Sequence, residues 1–287
     1  MLEAAAEVEL RAADFAAIRA LVLENTGISL AESKRELVKR RFSPRLRELG
    51  LDSFTSYVDY VRSNFASESV HFCNAITTNL TSFFREAHHF EMLEQDILPQ
   101  WVEKAAGRKR FRLWSAGCSS GQEAYCMAIS LLNVIPDAQQ KDIRILATDL
   151  DENCLAKGRA GAYELREFEK VDALLLKDYF SPARVKVKNM EREALMANAR
   201  LKNLITFNKL NLIQPWPMQG KFDVIFCRNV FIYFDKRTQE KIIARFAEYQ
   251  SPGSILFLGH SETVSSPEAL GYELIGKTTY RRLGGLK

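Results

Sequence analysis

Through the first hundred positions apolar residues recur every three or four residues, the period of an amphipathic helix. Phe15, Ile18, Leu21 and Val22 form one such face, with Asp14 placed to cap it and Gly27 to end it. Leu37, Val38, Phe42, Leu46 and Leu49 form a second, closed by Gly50. Pro44 interrupts it, which predicts either a kinked helix or a second short helix capped by Ser43 with Pro44 in its first turn. Ser53 opens a third stretch carrying Phe54, Tyr57, Val58 and Val61, and a longer helical pattern covers 87–105 with Pro99 as its kink point.

After Gly107 the period changes. Short apolar runs at 111–116, 143–148, 222–227 and 255–259 read as strands, with helical segments between them, notably 236–249. Strands alternating with helices predict a mostly parallel sheet covered on both faces. Residues 272–283 alternate like a hairpin or edge strand. Residues 181–207 break the rhythm: Val185-Lys186-Val187-Lys188 alternates like a small strand, and 204–207 does so again. Between them 190–200, rich in Ala, Glu and Arg and without a glycine turn, reads as helical or loop-like. The expected organisation is a helical N-terminal domain, 1–85, then an α/β domain, 86–287, with a small inserted subdomain at about 181–207.

The composition, 47% hydrophobic and 26% charged over 287 residues, is that of a soluble globular protein and excludes a mainly disordered chain. No apolar run approaches the ~18 residues that span a bilayer. The first eleven residues are acidic and lack the pattern of a signal peptide. Cys73, Cys118, Cys126, Cys154 and Cys227 are scattered and never form a Cys-x-x-Cys pair, so they read as reduced thiols of a cytoplasmic protein. His71, His88, His89 and His260 show no metal-ligand spacing, and adjacency places His88 and His89 on different helix faces; no metal is expected.

The net charge is only +4, but it is concentrated. Residues 34–50 hold seven basic side chains (Lys34, Arg35, Lys39, Arg40, Arg41, Arg45 and Arg47) against Glu36 and Glu48, a local charge of +5. The remaining 33 basic and 34 acidic residues sum to −1. A one-signed run beside an apolar stripe suits docking on an acidic surface. Nucleic acid would suit the charge too, but the one aromatic in the run, Phe42, falls on the apolar face, so none is interleaved with the charges for base stacking.

Candidate chemistry gathers where the predicted strands end. Gly117-Cys118-Ser119-Ser120-Gly121 joins a strand to a helix, where small residues let backbone approach a ligand. It lacks the Gly-Lys-Ser/Thr of a phosphate loop and the three-glycine dinucleotide spacing. Glu123, near the helix start, suits a ligand with amino or sulfonium charge better than a pyrophosphate. Asp149 ends the next strand, where an acid accepts hydrogen bonds from ribose hydroxyls; the alternative is a cap on the following helix, a role Asp151 could fill instead. Asn211-Leu212 and Arg228-Asn229 also follow strand-like runs, though singly Asn211 reads as a turn residue and Arg228 as a surface ion pair.

Five blocks occur in order: Thr78-Asn79-Leu80-Thr81-Ser82-Phe83-Phe84-Arg85-Glu86; Trp114-Ser115-Ala116-Gly117-Cys118-Ser119-Ser120-Gly121-Gln122-Glu123; Ala147-Thr148-Asp149-Leu150-Asp151; Phe226-Cys227-Arg228-Asn229-Val230-Phe231-Ile232-Tyr233-Phe234; and Gly259-His260-Ser261-Glu262. With them the chain resembles the CheR-type chemotaxis receptor methyltransferases from about Phe15 onward. The resemblance implies a Rossmann-like class I methyltransferase domain with a small inserted subdomain, preceded by an all-helical receptor-docking domain. It implies methyl transfer from S-adenosylmethionine to glutamate side chains of membrane chemoreceptors, leaving S-adenosylhomocysteine. It implies that Asn79, Thr81, Arg85, Glu123, Asp149, Asn211, Leu212, Arg228 and Asn229 bind the cofactor, and that the basic run meets the receptors' cytoplasmic helical domains. The expected partner is therefore a receptor rather than nucleic acid, with no membrane insertion and the enzyme a monomer.

A glutamate acceptor, with a reference pKa near ~4.3, is already an ionised nucleophile at neutral pH and needs no general base. Catalysis then rests on positioning. Arg85 could orient a carboxylate through its fork, and Tyr233 could line the transfer channel or simply be a core aromatic. The rival readings are a non-catalytic receptor-binding adaptor and an RNA methyltransferase.

Overall fold

The computed structural model describes residues 8–104, 110–169 and 171–284. Residues 1–7, 105 and 285–287, which fall within the expected helix and domain limits, lie outside them. The chain divides into two compact units, one running to Thr78 and including Tyr233–Thr238, the other holding Asn79–Ile232 and the chain from Gln239 onward.

The first unit is built on α1 (Ala12–Thr26), α2 (Arg35–Glu48) and α3 (Phe54–Ile76). Phe15, Ile18 and Val22 of α1, Val38, Phe42 and Leu46 of α2, and Phe54, Tyr57, Val61 and Phe72 of α3 share one buried cluster, as their helical spacing predicts. Gly27 ends α1 in the left-handed conformation (φ 75°), with its N–H on Leu23 O. Asp14 does not cap the helix: Arg11 holds that position, and Asp14 is buried, accepting from Arg11 and from Thr55 Oγ1 at 2.7 Å. Ser53 does cap α3, accepting from Ser56 N.

Pro44 neither stops α2 nor starts a second helix. It is exposed, so the carbonyl its ring cannot serve lies on the side open to water, and Ser43 Oγ donates back to Lys39 O at 2.7 Å. A second carboxylate, Glu68, is buried more deeply among these helices, at 1% exposed. Arg45 grips it through Nε at 3.0 Å and Nη2 at 2.7 Å, and Tyr57 donates at 3.0 Å. Breaking such a buried pair from one side costs roughly 3–5 kcal/mol.

The second unit opens on α4 (His88–Met92), a π turn (Leu93–Ile97) and α5 (Leu98–Lys104). The single helix expected here is widened before Pro99, which has no N–H to return to the preceding turn; Leu98 N reaches back five residues to Leu93 O. In chain order follow β1 (Arg110–Ala116), α6 (Gln122–Val134), β2 (Asp142–Asp149), α7 (Glu152–Ala160), β3 (Ala162–Glu164), α8 (Ala173–Tyr179), β4 (Phe180–Val187), β5 (Met190–Ala197), α9 (Ala199–Lys202), β6 (Ile205–Lys209), β7 (Phe222–Cys227), α10 (Lys236–Glu248), β8 (Gln250–Leu258), β9 (Tyr272–Gly276) and β10 (Thr279–Arg282).

The main sheet has the order β6-β2-β1-β7-β8-β10-β9. Its first five strands are parallel, and β10 is antiparallel to both its neighbours. Central strands such as Val224-Ile225-Phe226-Cys227 are buried throughout, as a two-sided sheet requires. A separate antiparallel sheet, β3-β5-β4, forms the excursion, while Ile205–Lys209 pairs with β2 in the main sheet. Met190–Ala197, expected to be helical or loop-like, is a strand. The turn before it is made by Lys188 (φ 47°) and Asn189 (φ 64°), both left-handed, so the hairpin closes without glycine. No helix among the described residues is long and apolar enough to cross a membrane.

Candidate functional site

The order of the main sheet reverses between β1 and β7: the chain proceeds from β1 outward to β2, and from β7 outward to β8 on the other side. Loops at the carboxyl ends of two such strands part to leave a crevice.

The loop after β1 is drawn tightly into this end of the sheet. Gly117 (φ 84°) and Cys118 both donate to Thr148 O at 2.8 Å. A Cβ on Gly117 would lie 2.4 Å from Val230 Cγ2, so glycine is what lets the β1 and β7 loops approach. Ser119, left-handed at φ 49°, donates its N–H to Asp149 Oδ2 at 2.7 Å, and Asp151 N donates to Asp149 Oδ1 at 2.9 Å. Asp149 is 9% exposed; burial raises its pKa, against the pull of those two amides. Capping of α7 falls to Asp151, which accepts from Asn153 N and Cys154 N. Asp149 is thereby left for other hydrogen bonds at the strand end.

The segment from Asn79 packs on the same loop. Asn79 Nδ2 donates to Asp151 Oδ2 at 2.7 Å, and Ser119 Oγ donates to Asn79 O at 3.1 Å. Thr81 is half-buried, and Arg85 reaches Leu80 O through Nη1 at 3.0 Å. Phe84 (φ 49°) and Glu86 (φ 57°) bring to three, with Ser119, the left-handed non-glycine residues of these two segments. Strain of this kind concentrates at functional sites.

A second cluster centres on Arg228, just past β7. Its side chain, 2% exposed, pairs with Glu123 at 3.1 Å and Glu86 at 3.3 Å, donates to Arg85 O, and stacks 5.4 Å from the Phe90 ring centre. Its Nε is buried without a partner among the described residues. Glu123, on the first turn of α6, also accepts from Ser115 Oγ at 2.7 Å; burial raises its pKa while Arg228 pulls it down. Burial would raise Glu86 as well, but His260 (Nδ1 at 2.8 Å), Arg228 and Asn229 Nδ2 (3.2 Å) outweigh it and hold its pKa at about 2. Arg228 is therefore not a surface ion pair but the buried, shared cation of two half-buried carboxylates.

His88 and His89 do not diverge as adjacency suggests. The helix begins only at His88, and the two ring centres lie 4.1 Å apart. With Glu86 they bring three potential ligand atoms within 4.8 Å of one another. The positive charge beside this group is already that of Arg228. Burial and Arg228 lower the pKa of His89 to about 4, and its Nε2 lies 3.1 Å from Lys277 O.

Asn211 and Leu212 follow β6, beside β2. Asn211 Oδ1 accepts from Ile213 N at 3.1 Å; Leu212 is buried, and its carbonyl accepts from Trp216 Nε1 at 3.3 Å. Asn229 is left-handed (φ 58°) and donates its N–H to Glu262 Oε2 at 2.9 Å. Asn79, Thr81, Arg85, Glu123, Asp149, Asn211, Leu212, Arg228 and Asn229 thus all lie in the α/β unit. Tyr233 groups with the helical unit, where its hydroxyl donates to Thr78 O at 3.2 Å and its carbonyl accepts from Ser29 N at 2.8 Å.

The basic run is split by its contacts. Arg35 donates to Leu10 O at 3.0 Å, Arg41 caps the end of α3 through Ile76 O at 3.0 Å, and Arg45 holds Glu68. Lys34, Arg40 and Arg47 are exposed, and Lys39 is half-buried. Arg40 and Arg47 are seven residues apart in α2, hence on one face.

No thiol here is poised to act as a nucleophile. All five cysteines are buried, and burial pushes Cys118 and Cys227 far above the ordinary range and Cys154 up to about 12. Glu86 and Glu262 carry no separate signal in the sequence beyond their places inside two of the five ordered blocks. The donor set fits a ligand with a ribose, a cationic centre and a carboxylate. Asp149 suits the hydroxyls and Glu123 the cation, while Arg85 and the unpartnered Arg228 Nε suit the carboxylate.

The chain matches known proteins along most of its length. The family model described as CheR methyltransferase, SAM binding domain, matches residues 79–280, and that of the CheR methyltransferase all-alpha domain matches 13–77. The chain is 44% identical over 262 residues to a probable chemotaxis protein methyltransferase of Rhizobium etli, covering 91% of this chain and 96% of that one. It is 38% identical over 282 residues to the chemotaxis protein methyltransferase of Salmonella typhimurium (98% and 93% covered). It is 36% identical, also over 282 residues, to that of Escherichia coli (98% and 94%).

Proposed function

The chain belongs to the CheR methyltransferase family, and we propose that it methylates glutamate side chains on the cytoplasmic helical domains of methyl-accepting chemoreceptors, as a cytoplasmic monomer. When bound, S-adenosylmethionine supplies a methyl group made electrophilic by its sulfonium. A receptor glutamate carboxylate, ionised at neutral pH, attacks that carbon in line, leaving a methyl ester and S-adenosylhomocysteine.

The observation that carries this reading is the makeup of the crevice: Asp149 at the end of β2, Glu123 on the first turn of α6 and Arg228 just past β7, with the nearby thiols protonated and His89 buried. Such a site binds and aligns; it does not generate a nucleophile. Asp149 accepts from the ribose, Glu123 offsets cationic charge, and Arg85 and Arg228 orient a carboxylate. Alignment of two bound reactants can lower a barrier by roughly 7–11 kcal/mol. Lys34, Arg40 and Arg47, not engaged in the helical core, are the side chains suited to an acidic receptor helix.

Titration calorimetry with S-adenosylmethionine and S-adenosylhomocysteine separates this enzyme from a receptor-binding adaptor of the same fold. Both ligands should bind. An absence of heat with either would favour the adaptor.

A further inference from the structure

We infer that Glu262 is a positioning residue for methyl transfer: it clamps the loop after β7 to the loop after β8 and so fixes where Arg228 and Asn229 stand. The inference rests on the reading of Arg228 and Asn229 as cofactor-side residues.

Glu262 is 4% exposed, and both its oxygens are occupied by backbone amides. Oε2 accepts from Gly259 N at 2.6 Å and Asn229 N at 2.9 Å. Oε1 accepts from Phe231 N at 2.7 Å and Ile232 N at 3.4 Å. Three of the four donors belong to the β7 loop and one to the β8 loop, and these strands are neighbours in the sheet, β7 flanking the point where its order reverses. Loop amides left facing a buried space would each lack a partner, so one carboxylate accounts for all four.

The loops close on this carboxylate at a distance only glycine allows. A Cβ on Gly259 would lie 2.6 Å from Asn229 Nδ2, 2.7 Å from Asn229 N and 2.7 Å from Glu262 Oε2. Asn229 is held left-handed, a conformation that persists in a non-glycine residue when its surroundings over-determine it. From there its side chain donates to Glu86, which also pairs with Arg228. The clamp on the Asn229 backbone is thus linked through two further contacts to the guanidinium beside Glu123.

The choice of side chain follows from the donors. A carboxylate presents only acceptors to four N–H groups. An amide of the same shape offers one oxygen, and its NH₂ meets two N–H donors. Glu262→Gln therefore preserves volume while breaking half the clamp.

The test is calorimetry of S-adenosylhomocysteine on the full chain. Glu262→Gln should raise Kd at least tenfold. Phe111→Leu, a core substitution at the opposite end of β1, should lower Tm yet leave Kd as in the wild type. Gly259→Ala, which forces the loops apart while keeping the carboxylate, should weaken binding like Glu262→Gln and carries the test if that variant does not fold. Wild-type affinity in either clamp variant overturns the role of Glu262. Failure of the wild-type protein itself to bind overturns the cofactor reading, and the inference with it.

Discussion

Asp149 shows how far a single residue could be read from the sequence. Its place at a strand end suggests ribose binding, with capping of the next helix as the alternative. The structure separates the two: Asp151 takes the cap, while Asp149 accepts one amide from the β1 loop and one from its own. Asp149→Asn removes the charge and one acceptor, and a charge-assisted hydrogen bond contributes about 1.5–3 kcal/mol. The Kd for S-adenosylmethionine, measured by calorimetry, should rise about tenfold to a hundredfold, and an unchanged Kd would remove Asp149 from the site. Arg228 and Asp14 were less legible. Local rules taken alone read Arg228 as a surface ion pair and Asp14 as a cap, yet both are buried partners of residues distant in sequence.

His89 adds a residue-scale expectation about pH. Burial and Arg228 depress its pKa from 6.5 to about 4, with His88 adding to this and Glu86 opposing it. The unfolded chain therefore binds a proton at a pH where the folded chain does not. The stabilisation is complete above pH ~6.5 and is lost as pH falls toward 4, by on the order of 3 kcal/mol. Urea unfolding across that range should show a shallower pH dependence for His89→Gln than for the wild type. Equal slopes would mean His89 does not carry the effect.

At the scale of elements, periodicity identified the main helices and strands because their buried faces are regular. It failed where backbone chemistry replaced a familiar cue. Lys188 and Asn189 turn a hairpin without glycine, a π turn precedes Pro99, and α2 runs through Pro44 because that residue faces water. The same element sharpens the docking account. Of seven basic residues, Arg35, Arg41 and Arg45 hold the helical unit together. Arg40→Glu with Arg47→Glu should raise the KM for receptor about tenfold at low ionic strength, with the effect shrinking in salt. The Kd for S-adenosylhomocysteine should stay unchanged. Arg45→Glu, by contrast, leaves Glu68 buried beside a second carboxylate and should unfold the helical unit. An unchanged receptor KM for the double variant would remove this face from docking.

At the scale of the whole molecule, alternating strands and helices were enough to predict a parallel sheet, but not the order in which its strands lie. That order, β6-β2-β1-β7-β8-β10-β9, is set by long-range pairing and is what brings Gly117, Asp149 and Arg228 to one end of the sheet. The segment from Asn79 to Glu86 was the least legible from pattern, since its role is to pack on loops at Asp151 and Arg228. Only the resemblance gave it a function. The modest net charge of +4 likewise conceals a nearly neutral chain with one basic helix.

The central claim is that this fold aligns an already ionised receptor carboxylate with a sulfonium methyl. Its most direct test is incubation of the protein with radiolabelled S-adenosylmethionine and receptor-containing membranes, followed by base treatment. The account predicts label on receptor protein that base releases as methanol. Label that resists base, or that appears in RNA instead of receptor, would contradict it.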